Sequence, residues 1–124
     1  MNLLLDTHVA LSWIQDRPIA PAAEQALNNV GNRIYISAAV VWEIVVKQML
    51  GKLTLEGDPE AEWEHNGFLT LPISAAHARA TAELPLHHRD PFDRILVAQA
   101  TVEGLTILTR DPLLSRYDVP IINA

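Results

Sequence analysis

Short apolar segments alternate along the chain with segments of helical periodicity, and this alternation limits the possible folds more than any other feature. Predicted strands cover residues 2–5, 34–36, 69–73, 105–109 and 120–122. Predicted helices cover residues 7–15, 21–30, 38–50, 59–66, 75–84 and 91–103, and a short helical turn starts at Pro112. Strands that alternate with helices are joined by right-handed crossovers into a parallel sheet with helices on both faces. The sequence therefore predicts an α/β fold with a central, mostly parallel sheet of about five short strands.

Residues that favour helix ends occur where this alternation requires them. Ser37, Ser74 and Asp90 suit N-caps, and Pro91 suits the first helical position after Asp90. Beyond Arg94 the predicted helix 91–103 is apolar almost all the way round, so we expect it to be buried. Four of the five glycines directly follow predicted helices, which supports these boundaries: Gly31, Gly51, Gly67 and Gly104.

The size and composition of the chain indicate a soluble protein. Its 124 residues predict one domain, residues 1–124, and the absence of cysteine excludes disulfides and cysteine-based zinc sites. No apolar run is long enough to span a membrane and no signal sequence opens the chain, so we expect a cytoplasmic location without membrane contact. The net charge of −6 argues, taken alone, against a nucleic-acid partner. If four carboxylates cluster in a site, however, the remainder carries only −2 (−6 plus 4), so net charge does not decide the question.

Four acidic residues fall at positions that a parallel sheet would bring together. Asp6 directly follows the first predicted strand, and Asp111 comes one residue after the fourth. Glu43 lies about two turns into the helix after the second strand, and Asp93 lies in the first turn of the helix before the fourth. Ligands of open parallel sheets bind outside the carboxyl ends of the strands. If the first and fourth strands are neighbours, the four carboxylates converge there.

Converging carboxylates repel one another and resist burial, so such a cluster needs a cation or raised pKa values. Oxygen ligands without cysteine favour a hard ion, Mg²⁺ or Mn²⁺, which keeps several waters and leaves room for a phosphate. The chemistry that this arrangement favours is metal-assisted attack of water on a phosphodiester.

Each acid also has an ordinary structural alternative. Glu43 is placed to pair with Lys47 one helical turn later, and Asp93 is placed to favour the helix dipole. Asp6 and Asp111 suit helix caps or turns, and so does a fifth acid nearby, Asp90. Asp90 is expected to be a cap rather than a ligand.

Basic and aromatic residues near the acids have two interpretations each. Three arginines beside the acids would either bind the phosphates of a nucleic acid or neutralise their acidic neighbours: Arg89, Arg94 and Arg110. His87 and His88 are expected in a solvated loop, with substrate contact as the alternative. Trp13, Trp42 and Val45 are expected in the core or in a dimer interface rather than stacked on bases.

Four segments that follow one another span essentially the whole chain: residues 3–8 (LLLDTH), 37–44 (SAAVVWEI), 90–100 (DPFDRILVAQA) and 108–111 (LTRD). In this succession they resemble the motifs of PIN-domain ribonucleases, and most of all the VapC toxins of type II toxin–antitoxin modules. The third segment is the most specific.

The resemblance implies a PIN-like fold and Mg²⁺- or Mn²⁺-dependent endoribonuclease activity on an RNA substrate. By position, Asp6, Glu43, Asp93 and Asp111 match the four acids of that family's pocket, and Asp90 matches a frequent additional acid. Hydroxyl positions near the metal are matched by two threonines, Thr7 and Thr109. The resemblance further implies a homodimer and a small antitoxin protein whose C-terminal segment wraps the toxin.

Two other classes remain open from the sequence. A flavodoxin-like phosphoacceptor domain would also use acids and Mg²⁺, but it needs a lysine late in the chain, and no lysine follows Lys52. A catalytically silent binding module is the third possibility. Testing the purified protein for RNA cleavage with Mg²⁺ or Mn²⁺ separates the three.

Overall fold

The computed structural model describes all 124 residues and contains five strands and six α-helices. The strands are β1 (Asn2–Leu5), β2 (Arg33–Ser37), β3 (Leu69–Leu71), β4 (Thr106–Thr109) and β5 (Ile121–Asn123). The helices are α1 (Thr7–Ile14), α2 (Pro21–Asn28), α3 (Ala38–Met49), α4 (Pro59–His65), α5 (Ala75–Ala80) and α6 (Pro91–Glu103). Two 3₁₀ turns complete the chain, at Thr81–Glu83 and Leu114–Arg116.

The five strands form one sheet in the order β3-β2-β1-β4-β5, and every pairing is parallel. Strand β1 is central, and its three leucines, Leu3, Leu4 and Leu5, are completely buried. Chain order reverses at β1, which pairs with β2 on one side and with β4 on the other. The predicted α/β fold is confirmed. Strands β1 and β4 are neighbours, and their pairing places Asp6 beside the end of β4.

Helix α6 has the ends and the burial that its sequence predicts. The Asp90 carboxylate accepts a hydrogen bond from the Phe92 backbone N–H at 2.8 Å, and Pro91 occupies the first helical position. Residues 96–100 are all buried in the core. Gly104 ends the helix at φ +67°, a left-handed conformation that a side chain would strain.

Three predicted elements are shorter in the structure by two residues or more, each for a local reason. Helix α2 ends at Asn28 instead of residue 30, because the Asn29 side chain accepts from the Gly31 N–H and forms a turn. Strand β3 stops at Leu71, since Pro72 has no N–H to continue the ladder. The helix predicted to reach residue 84 becomes a 3₁₀ turn after Ala80.

No helix of the structure has both the length and the apolar character that crossing a membrane requires.

Candidate metal centre

Asp6 lies directly after β1 and is held by two donors. One carboxylate oxygen accepts from the Val9 N–H at 2.8 Å and caps α1, and the other accepts from the Thr109 hydroxyl at the end of β4. Burial raises the pKa of the Asp6 carboxyl, although these hydrogen bonds oppose the rise. Asp6 therefore caps α1 and also lines the cleft at the carboxyl edge, the place where its metal role is predicted.

Glu43 reaches the same edge from the middle of α3 and is buried. One carboxylate oxygen accepts from the Thr7 hydroxyl at 2.6 Å, and the other lies 2.7 Å from Lys47 Nζ. The hydrogen bond to Glu43 is the largest cause of the raised pKa of Lys47. The alternative of a Glu43–Lys47 pair is thus present, and it holds Glu43 inside the site rather than on a solvated face.

Asp111 follows β4 and turns its carboxylate back toward the site. Its Oδ1 accepts from the Leu113 N–H at 2.9 Å, and its own N–H donates to Thr109 Oγ1 at 3.0 Å. The second oxygen, Oδ2, lies 2.9 Å from His88 Nε2.

Asp93 occupies the first turn of α6, one turn beyond the capping Asp90. Burial, followed by the nearby charge of Asp90, raises the pKa of the Asp93 carboxyl to about 7. The ionised form of Asp93 is therefore disfavoured, first by burial and then by the neighbouring acids, and a nearby cation would stabilise it.

The four predicted carboxylates line one cleft of about 280 Å³. They come from four separate elements, so the sheet edge and not a local motif assembles them. The cleft is lined by Asp6, Thr7, His8, Leu11, Glu43, Lys47, Asp90, Asp93, Arg110 and Asp111.

The donors of the cleft fit a hard divalent cation. Five carboxylates and the hydroxyl of Thr7 face it with only one apolar lining residue, and oxygen is the donor that Mg²⁺ and Mn²⁺ favour. Lys47 and Arg110 are the only fixed cations in the lining, too few to neutralise five acids. A bound cation would offset both the burial and the repulsion that raise the pKa of Asp93.

The three predicted phosphate-binding arginines have different positions. Arg110 lines the cleft, and Arg89 is exposed in the loop before α6. The prediction for Arg94 is wrong, because its guanidinium faces the loop over residues 81–88 instead of the cleft. It donates to four backbone carbonyls and one hydroxyl: Thr81, Leu84, Pro85, His88 and Tyr117. These contacts also explain why α5 gives way to a 3₁₀ turn at Thr81.

His88 is a site residue that the sequence reasoning placed in a solvated loop. Its Nε2 lies 2.9 Å from Asp111 Oδ2 and 3.2 Å from Asp93 Oδ2. The three side chains offer ligand atoms that all lie within 4.8 Å of one another. The available signal was the position of His88 two residues before the capping Asp90, where its Nδ1 accepts the Asp90 N–H.

Several solved structures share this arrangement of strands and helices, and they include a member of the VapBC family of toxin–antitoxin systems. VapBC2 from Rickettsia felis, bound to a DNA fragment from its promoter, matches with a TM-score of 0.74 and 18% identity over 100% of this chain and 99% of that one. DNA-bound VapBC from Salmonella typhimurium matches with a TM-score of 0.69 and 17% identity over 99% of this chain and 98% of that one. VapBC-5 from Mycobacterium tuberculosis matches with a TM-score of 0.63 and 22% identity, also over 99% of this chain and 98% of that one. At these identities the likeness defines the fold. No curated protein matches the chain.

The strand order and the helices on both faces define an α/β domain with the fold of these structures. The family model of the PIN domain matches residues 3–120. The chain therefore belongs to the PIN-domain family, as the four sequence motifs predicted.

Proposed function

We propose that this protein is a metal-dependent endoribonuclease and the toxin of a toxin–antitoxin pair. The observation that carries the proposal is the convergence of Asp6, Glu43, Asp93 and Asp111 on one cleft of a PIN-family chain. The cleft lies at the carboxyl ends of the central strands, where α/β sheets bind their ligands.

These four acids would hold Mg²⁺ or Mn²⁺, directly or through its waters. When bound, the cation supplies an activated water and stabilises the charge that develops on the phosphate in the transition state. The protein's part is to fix the carboxylates. Thr109 orients Asp6 and Thr7 orients Glu43, both through hydroxyl donors, while the buried body of α6 holds Asp93 rigidly.

RNA is the proposed substrate, and Arg110 is the best-placed residue for its phosphates. Arg110 lines the cleft beside Asp111 and is exposed, so its guanidinium is accessible to a backbone phosphate. Arg89 is exposed in the adjacent loop and would extend the same contact along the strand. Phosphate contacts also compensate for the net charge of −6.

An antitoxin and a second copy of the chain are the proposed protein partners. The similar solved structures include VapBC and FitAB complexes, which supports a small antitoxin as the partner. A homodimer is supported by the apolar face that α3 leaves exposed, where Trp42 is 60% and Met49 80% exposed and Val45 lies between them.

Cleavage of structured RNA by the purified protein tests this function. We expect cleavage with Mg²⁺ or Mn²⁺, none with EDTA, and a large loss in Asp6→Asn and Asp93→Asn. Glu56→Gln, which changes an exposed acid outside the cleft, is the matched control and should cleave normally. Absence of cleavage by the wild type would favour a phosphoacceptor or a silent binding module instead. Cleavage by both Asn variants at the wild-type rate would contradict a nuclease that acts through these acids.

Expression in a host that lacks the antitoxin gives a second test. The wild-type protein should arrest growth, and the Asp6→Asn and Asp93→Asn variants should not. Growth arrest that persists in both variants would separate toxicity from the acidic cleft.

A further inference from the structure

We propose that His88 is a positioning residue of the acidic site, whose Nε2–H bridges the Asp93 and Asp111 carboxylates and sets their separation for a cation. This inference rests on the proposed metal-dependent function. The acidic motifs alone do not say how the chain holds the Asp93 and Asp111 carboxylates together.

The hydrogen bonds of the ring assign its proton. The Asp90 backbone N–H donates to His88 Nδ1 at 3.1 Å, so Nδ1 must carry a lone pair and not a proton. The proton of the neutral ring then sits on Nε2, which lies 2.9 Å from Asp111 Oδ2 and 3.2 Å from Asp93 Oδ2. A ring nitrogen that carries a proton has no lone pair for a metal. His88 is therefore a donor to the carboxylates and not a ligand.

The loop that carries His88 is itself held in place. The His88 backbone N–H donates to the Tyr117 hydroxyl at 2.9 Å, and the Arg94 guanidinium contacts both that hydroxyl and the His88 carbonyl. Arg94 also donates to Thr81 and Pro85 carbonyls at 2.8 and 3.0 Å. The ring is only 15% exposed. These contacts hold the His88 ring in one position, as expected for a residue that orients other side chains.

The bridge addresses a specific electrostatic problem. Asp93 and Asp111 come from different elements, α6 and the end of β4, and nothing in the backbone forces their carboxylates together. A shared N–H donor offsets part of their repulsion and fixes which oxygens face it. The other oxygen of Asp111, Oδ1, accepts from the Leu113 N–H. Loss of such orienting contacts typically weakens metal binding about 10–100-fold.

Two substitutions separate the two hydrogen bonds of the ring. In His88→Asn the shorter amide can still accept from the Asp90 N–H but cannot reach the carboxylates. In His88→Gln the amide nitrogen reaches the position of Nε2 and can donate to Asp93 and Asp111. His87→Asn is the matched control, since His87 is exposed and its ring contacts Tyr117 instead of the acids.

The measurement is the Mn²⁺ dissociation constant, by electron paramagnetic resonance at pH 8 without RNA. We expect His88→Asn to bind Mn²⁺ about tenfold more weakly than wild type or worse, and His88→Gln and His87→Asn to stay within about threefold of it. Wild-type affinity in His88→Asn, or an equal loss in His88→Gln, overturns the proposal. Circular dichroism establishes that each variant is folded.

Pulsed electron paramagnetic resonance on the wild-type Mn²⁺ complex separates a donor from a ligand. We expect no coupling from a directly coordinated imidazole nitrogen, and such a coupling would overturn the proposal by making His88 a ligand. A wild-type protein that binds Mn²⁺ with the expected dependence on His88 but leaves RNA intact would contradict the nuclease function alone. RNA cleavage by a protein whose His88→Asn variant binds Mn²⁺ normally would contradict the bridge alone.

Discussion

Replacing Asp93 with Asn should stabilise the metal-free protein while abolishing its response to metal. Ionisation of Asp93 costs free energy in the folded state, because burial and the charge of Asp90 raise its pKa from 3.8 to about 7. An amide at this position keeps the size and shape of the side chain but has no charge to bury. It can still accept the hydrogen bond from His88 Nε2.

The pKa shift sets the size and sign of the effect. The folded state binds more protons than the unfolded state between pH 3.8 and about 7, so its stability falls as pH rises through that window. A shift of about 3 units corresponds to at most about 4 kcal/mol. Because the side chain is 20% exposed, solvent screening reduces this to about 1–2 kcal/mol. Loss of the favourable helix-dipole interaction subtracts about 0.3–1 kcal/mol.

The net gain is then about 1 kcal/mol at pH 8, or about 4 °C in the unfolding temperature for a chain of this length. Thermal and urea unfolding in EDTA at pH 8 and pH 5 measure it. Most of the gain should vanish at pH 5, where folded wild-type Asp93 is largely protonated. Added Mn²⁺ should raise the unfolding temperature of the wild type and not of Asp93→Asn. If Asp93→Asn were less stable than wild type in EDTA at pH 8, the assignment of electrostatic strain to Asp93 would be wrong.

Three further predictions concern Asp93 and the residues around it. Mn²⁺ affinity should rise about tenfold from pH 6 to pH 8 and then level off, since the ionised fraction of a group with a pKa of about 7 changes by that factor. Isothermal titration calorimetry across this pH range measures the affinity, and an affinity that does not change with pH would contradict the raised pKa of Asp93. Arg94→Gln should lower the free energy of unfolding by about 2–4 kcal/mol, because five acceptors lose a charged donor. If the urea unfolding of this variant matched the wild type, the structural role of Arg94 would be contradicted and phosphate binding would again be its expected role. Asp90→Ala should lower the free energy of unfolding by about 1 kcal/mol through the lost cap, while its Mn²⁺ affinity stays within a few-fold of wild type. Unchanged stability with a large loss of Mn²⁺ affinity would instead make Asp90 a ligand.

The fold could be predicted because it depends on short-range patterns. Leu3, Leu4 and Leu5 form a short apolar run that is compatible with a strand buried on both faces, and Asp90 with Pro91 marks the start of α6. Once β1 and β4 are neighbours, the carboxyl edge follows for residues that come directly after those strands. Asp6 and Asp111 were therefore placed at the site from sequence alone.

The residues that sequence reasoning misjudged depend on contacts that periodicity does not contain. Arg94 follows Asp93 directly, yet its side chain turns to the carbonyls of a loop whose path no pattern specifies. His88 sits in that loop, and its distance from Asp111 depends on the Arg94 and Tyr117 contacts. Both misjudgements have the same cause, since loop residues held by side-chain hydrogen bonds have no repeating signal.

The central claim is that the carboxylates of the cleft direct a cation-dependent cut within an RNA chain. The most direct measurement is the rate at which a circular RNA is opened in Mg²⁺ or Mn²⁺ by the wild type and by Asp6→Asn. Asn is also a good N-cap, so this variant should keep α1 and the fold. We predict that the wild type opens the circle only with the cation, and that Asp6→Asn is slower by about a hundredfold or more, the scale of losing one transition-state stabilising group. Equal rates for the two proteins, or opening in EDTA, would contradict the account.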